Sequence, residues 1–164
     1  MSRQHPIELF MPPNMLRAKA GGGFGGVDLG ALKRAESAME TLKTEFSGMA
    51  GDAVAALAAA HRAYSETASP DGRAALLRAA HDIKGLAGTL EYPLMGRVAG
   101  SLSRLLSEAP EGTMLPAKLA EAHVVAVQII HRQSITGAAD KIALALCTEL
   151  DARVDEVLAG KAPA

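Results

Sequence analysis

The run AAHDIKGLAGTL, residues 79 to 90, places a histidine, a lysine and two glycines within three helical turns. At ~100° per residue, Leu76, Ala79, Ala80, Ile83, Leu86, Ala87 and Leu90 fall on one side of a helix, and His81 falls almost opposite them. The spacing therefore puts an imidazole on the solvent face. Lys84 follows one turn later, with ~5–6 Å between the Cβ atoms, so its ammonium can reach an anion held on the ring. Gly85 and Gly88 lie near the same face. Two glycines inside a helix cost ~2 kcal/mol against alanine, in a fold worth ~5–15 kcal/mol. What they supply is bare backbone beside His81, which leaves the ring open to another macromolecule. The chemistry this suits is attack by a neutral ring nitrogen on a phosphoryl group, forming a phosphohistidine that can hand the group on. A bare helix has no metal site and no water-excluding pocket, so a partner must supply most of the catalysis. Leu77 and Arg78, one turn earlier, and Thr89, at the edge of the face, are candidate partner contacts.

The chain that must position these residues has 164 of them, enough for one domain with one core. Hydrophobic residues make up 49% and aromatics only 3%, with no Trp, which suits helices built from Ala, Leu, Met and Val. A formal net charge of −1 gives no reason to expect nucleic acid or an anionic membrane. Cys147 is the single cysteine and cannot form an internal disulfide, which fits a reducing, cytoplasmic setting. No uncharged apolar run approaches the ~18 residues of a membrane span, and the N-terminus does not read as a signal peptide.

Residues 1–27 read as a flexible Gly/Pro-rich arm. Gly21, Gly23 and Gly26 form a literal G-x-G-x-x-G, but no strand precedes it and no βαβ unit surrounds it, so a dinucleotide loop is not expected. The stretch ELFMPPNMLRAK is apolar enough for a short docking role. Residues 28–160 read as a helical bundle. Asp28 is a candidate N-cap before a stripe of Leu29, Leu32, Ala35, Met39, Leu42 and Phe46. Gly48 and Gly51 are expected to interrupt this helix, with a second carrying Val54, Leu57, His61 and Tyr64. Ser69 and Pro70 open the histidine helix, which is expected to run from about Asp71 to Leu90. Pro93 starts a helix with Leu94, Val98, Leu102 and Leu105 on one stripe. After the loop APEGTMLP, Leu119, Ala122, Val125, Ala126, Ile129 and Ile130 mark a further helix. SITGA reads as a break before a last stripe of Ile142, Leu146, Leu150, Val154 and Val157. With no strand pattern and short connections, the expected fold is all-α: an antiparallel up-down four-helix bundle with additional helices.

His81, Lys84 and Gly85 form an H-x-x-K-G core, and the longer phrase HDIKGLAGTLEYPLMGRVAGSLSRLL resembles histidine-containing phosphotransfer (HPt) domains of two-component phosphorelays. The likeness is strong over about residues 76–107. The resemblance implies that His81 accepts phosphate in the middle of a helical bundle, that Lys84 assists the phosphate, and that Gly85 admits a receiver domain, with Gly88 as a second small position. It also implies exchange with the aspartates of response-regulator receiver domains or with a hybrid histidine kinase. The receiver brings the magnesium ion, and this chain needs no cofactor. Three residues depart from the pattern. Glu91 stands where many members have glycine, Leu86 is bulkier than usual, and Ser103 sits where the next helix often carries an acid.

HDIK also resembles the phosphoacceptor helix of sensor kinases, but Gly85 and Leu86 replace the usual Thr-Pro, and nothing here supplies an ATP-binding domain. A dimerisation module of that kind, or a non-catalytic helical adaptor using the arm or the Leu77 and Arg78 patch, is the alternative to a monomeric phosphocarrier without kinase activity of its own. His61 reads as a core or interhelical residue. His123 and His131, eight apart and without nearby acids or Cys, do not read as a metal site. His5 belongs to the arm. Cys147 reads as a buried small hydrophobe. Gly96 and Gly100 are expected to allow close helix packing or room for a docked receiver.

Overall fold

A computed structural model describes residues 29–110 and 115–160. The arm with its glycine cluster, His5, the ELFMPPNMLRAK stretch and the Asp28 cap lie outside the described residues. Those described form five helices and no strand: α1 Leu29–Thr67, α2 Pro70–Leu86, α3 Pro93–Glu108, α4 Ala117–Arg132 and α5 Lys141–Leu158. The chain divides into two compact units within α1, after Thr41.

In the larger unit α3 is the central element, packed against α2, α4 and α5. Its stripe of Leu94, Val98, Leu102 and Leu105 is buried, as the spacing implied. Residues at the start of α3 meet the end of α2: the Cβ position at Gly96 is 2.7 Å from Ala87 Cβ. The end of α3 meets the start of α2 through Arg73, whose guanidinium donates to the carbonyls of Leu106 (2.6 Å) and Ala109 (2.6 Å). The two helices are therefore antiparallel. Arg73 also satisfies carbonyls that a helix end leaves without partners. Arg97 pairs with Asp151 and Arg104 with Asp155, so α3 and α5 run in the same direction, two steps apart in an up-down bundle.

Several expectations change. Helix α1 is continuous through Gly48 and Gly51. A glycine ends a helix by taking positive φ, and among the described glycines only Gly137 and Gly160 do so. Alanine-rich sequence and the burial of Ala50, Val54 and Leu57 carry the helix past both positions. Along the early stripe Leu32, Met39 and Leu42 are exposed, Met39 by 61%, whereas Phe46 is half-buried against the core.

Helix α2 stops at Leu86 rather than Leu90, and residues 87–91 form turns closed by Tyr92 N donating to Ala87 O at 2.9 Å. Its start is as expected, with Pro70 in the first turn and Ser69 Oγ accepting from Gly72 N at 3.1 Å. In α4, Ala122 and Val125 are exposed, while Ala120, His123, Val124, Val127 and Ile130 are buried. Of the expected stripe, Ala126 and Ile130 are buried, and the buried face also includes His123. In α5, Ile142 is 84% exposed, and Ala143 and Cys147 take the buried side instead. The break after α4 is present, and Gly137 N donates to Glu91 O across it at 3.2 Å. Cys147 is buried as expected, and burial raises its thiol pKa, so it is a poor thiolate.

His123 is fully buried between α3 and α4. Its Nδ1 lies 2.7 Å from the Leu119 carbonyl and its Nε2 3.2 Å from Ser101 Oγ. Desolvation pushes its pKa below the usual value, outweighing the Leu119 carbonyl and the charge of Asp151. A buried neutral histidine stabilises the fold fully above its unfolded pKa of ~6.5 and progressively less as pH falls toward the lower folded value. The unfolding free energy from urea titrations is therefore expected to drop between pH 7 and pH 5, by up to ~1.4 kcal/mol per pH unit. His123→Gln should flatten that part of the profile, measured by circular dichroism.

Candidate functional site

The buried residues Leu76, Ala80 and Ile83 hold one side of α2 against the core. His81 is consequently exposed on the opposite side. It stands between two grooves. One, of about 860 Å³, lies between α1 and α2 and is floored by Ala53, Ala56, Ala75 and Ala79. The other, of about 650 Å³, lies between α2 and α3 and includes Arg78, Lys84, Gly100 and Ser103. Neither the His81 nor the Lys84 side chain has a hydrogen bond or ion pair with any described residue. The ring and the cation are thus both free to meet a group from outside.

The glycines divide into two kinds. A Cβ built at Gly85 or Gly88 would meet nothing within 4 Å. Their bareness serves no packing within this chain. Gly85 is in the last turn of α2, and Gly88 is in the turn beyond it, so the helix-interior cost applies to Gly85 and not to Gly88. Gly96 is different: its bareness is what permits α3 to approach Ala87. At Gly100 a Cβ would lie 3.6 Å from Lys84 Cδ and 3.7 Å from its Cε. The lysine stem lies along α3 at this position, a contact that helical spacing within α2 alone does not reveal.

Of the other candidate contacts, Arg78 is exposed and borders both grooves, and Leu77 is half-buried in the α2–α3 groove. Thr89 is exposed in the turn after α2. Ser103 is buried, and its hydroxyl donates to Ala99 O at 2.8 Å, inside its own helix. Glu91 has φ of +61°, the region that favours glycine over residues with a side chain. The remaining histidines are elsewhere: His61 is half-buried near Ser65, and His131 packs against Tyr92 with ring centroids 6.0 Å apart. The described residues hold no cluster of three or more metal-ligating side chains.

A family model for the Hpt domain matches residues 31–160. The chain belongs to the Hpt-domain family. No curated protein and no solved structure matches it. HPt domains perform phosphotransfer in two-component phosphorelays, working with response regulators and kinases. No described helix of this HPt domain is long and apolar enough to cross a membrane.

The contrast among its glycines is measurable. Gly85→Ala is expected to raise stability by up to ~1 kcal/mol, because the methyl enters open space and helix propensity improves. Gly96→Ala should lower stability by ~1–3 kcal/mol despite the same propensity gain, because the methyl overlaps Ala87. Thermal melts of the two variants test this.

Proposed function

We propose that His81 is the phosphoacceptor through which this HPt domain relays a phosphoryl group to or from receiver-domain aspartates. The observation that carries this reading is an exposed imidazole without a partner in its own chain, bordered by an unpaired ammonium and by Cβ positions that open to solvent.

The unprotonated ring nitrogen attacks the phosphorus of an aspartyl phosphate. A P–N bond forms, the acyl P–O bond breaks, and the receiver's carboxylate leaves with the electron pair. The other ring nitrogen keeps its proton throughout. Return transfer reverses these bonds. Lys84 supplies a cation to the phosphoryl oxygens, whose charge is spread in a loose transition state. Gly85 and Gly88 give the receiver room to bring its aspartate to the ring, with Leu77, Arg78 and Thr89 on the contact rim. Magnesium comes with the receiver, and the chain acts as a phosphocarrier without kinase activity of its own. In a non-catalytic adaptor or dimerisation module, by contrast, His81 would carry no phosphate.

Mixing the protein with a phosphorylated receiver domain and magnesium should produce acid-labile, alkali-stable phosphate on the chain. His81→Gln should reduce this to background, and transfer surviving in that variant would refute the assignment. Gly85→Leu should fold at least as stably as the parent yet transfer about tenfold or more slowly, because the added side chain stands where the receiver approaches; tenfold corresponds to ~1.4 kcal/mol.

A further inference from the structure

We propose that Gly100 on α3 is a positioning residue for Lys84, setting where the ammonium stands beside His81. This rests on the phosphotransfer reading of His81 and Lys84.

Three observations converge. First, the atoms nearest a Cβ at Gly100 are all in the stem of Lys84: Cδ at 3.6 Å, Cε at 3.7 Å and Cγ at 3.9 Å. Second, the Lys84 ammonium has no ion pair or hydrogen bond with a described residue, so no acid orients it and packing of its stem is what remains to do so. Third, His81, Lys84 and Gly100 border the same groove between α2 and α3, so a shift of the stem moves the ammonium within the space that a phosphoryl group on His81 would share. Gly96, one turn earlier, is already explained by the approach of Ala87, whereas at Gly100 the distances are ordinary contacts, and an alanine fits without displacing anything. A longer side chain does not fit that way. Its γ-carbon must extend from a Cβ already touching the stem, and the flexible lysine is the part that yields.

The expected series is therefore graded. Gly100→Ala should keep Lys84 in place and transfer within about twofold of the parent. Gly100→Gln, which suits a helix, and Gly100→Leu should push the stem aside and slow transfer about as much as Lys84→Ala, on the order of tenfold for an exposed cation. A double-mutant cycle reads whether the effect runs through the lysine. Single-turnover transfer from a phosphorylated receiver is measured at saturating and sub-saturating receiver. Gly100→Gln should add nothing in a Lys84→Ala background. NOE contacts between the Gly100 α-protons and the Lys84 side chain should be present in the parent, and contacts from the introduced methyl group should replace them in Gly100→Ala. Equal slowing by Gly100→Gln with and without Lys84 would overturn the proposal and leave the His81 assignment intact, since the added side chain would then act directly on docking. Parent-like transfer by both Gly100→Gln and Gly100→Leu would also overturn it. Phosphate retained in His81→Gln would instead remove the reading on which it rests.

Discussion

Helix α3 can lie close against α2 because Gly96 presents no side chain to Ala87. That approach organises the region around His81. It brings Gly100 beneath the stem of Lys84, and it makes one wall of the α2–α3 groove beside His81. A bulkier residue at position 96 would separate the two helices and alter both relationships together. The interior is close-packed, so a local increase in volume cannot be absorbed without displacement. The same pair is held at its far end by Arg73, which joins the first turn of α2 to the last carbonyls of α3.

Charge is distributed to match. Arg97 and Arg104 are paired with Asp151 and Asp155 on α5. Exposed pairs of this kind add little stability, ~0–1 kcal/mol each, but they occupy the cations of α3 with acids on α5. Lys84 has no such acid. An unpaired cation beside an unpaired imidazole is a poor way to stabilise a helix and a suitable way to receive an anion. Both grooves are bordered by Arg78, His81 and Asp82; alanines and Asp52 complete the one between α1 and α2, and Lys84, Arg104 and Glu108 complete the one between α2 and α3.

The histidines show why residue type alone misleads. His81 and His123 have the same intrinsic chemistry. One is exposed and without a partner, whereas the other is sealed between α3 and α4 with both ring nitrogens engaged. Burial holds His123 neutral and converts a polar residue into part of the core. On α4 the buried face takes in His123 with Ala126 and Ile130, while Ala122 and Val125 stay exposed.

Local pattern was enough to define the helical class, the Ser69–Pro70 start of α2, the buried stripe of α3 and the outward direction of His81. Each follows from 3.6-residue periodicity or from backbone chemistry within a few positions. Tertiary structure decided the rest. Continuity of α1 through Gly48 and Gly51 depended on neighbouring burial and on φ values that composition does not specify. The exposure of Ile142 depended on which side of α5 faced its neighbours. The different meanings of Gly85, Gly96 and Gly100 depended on what lies opposite each missing side chain. A sequence records that a side chain is absent; only the packed chain determines whether solvent, a helix or a lysine stem takes that space.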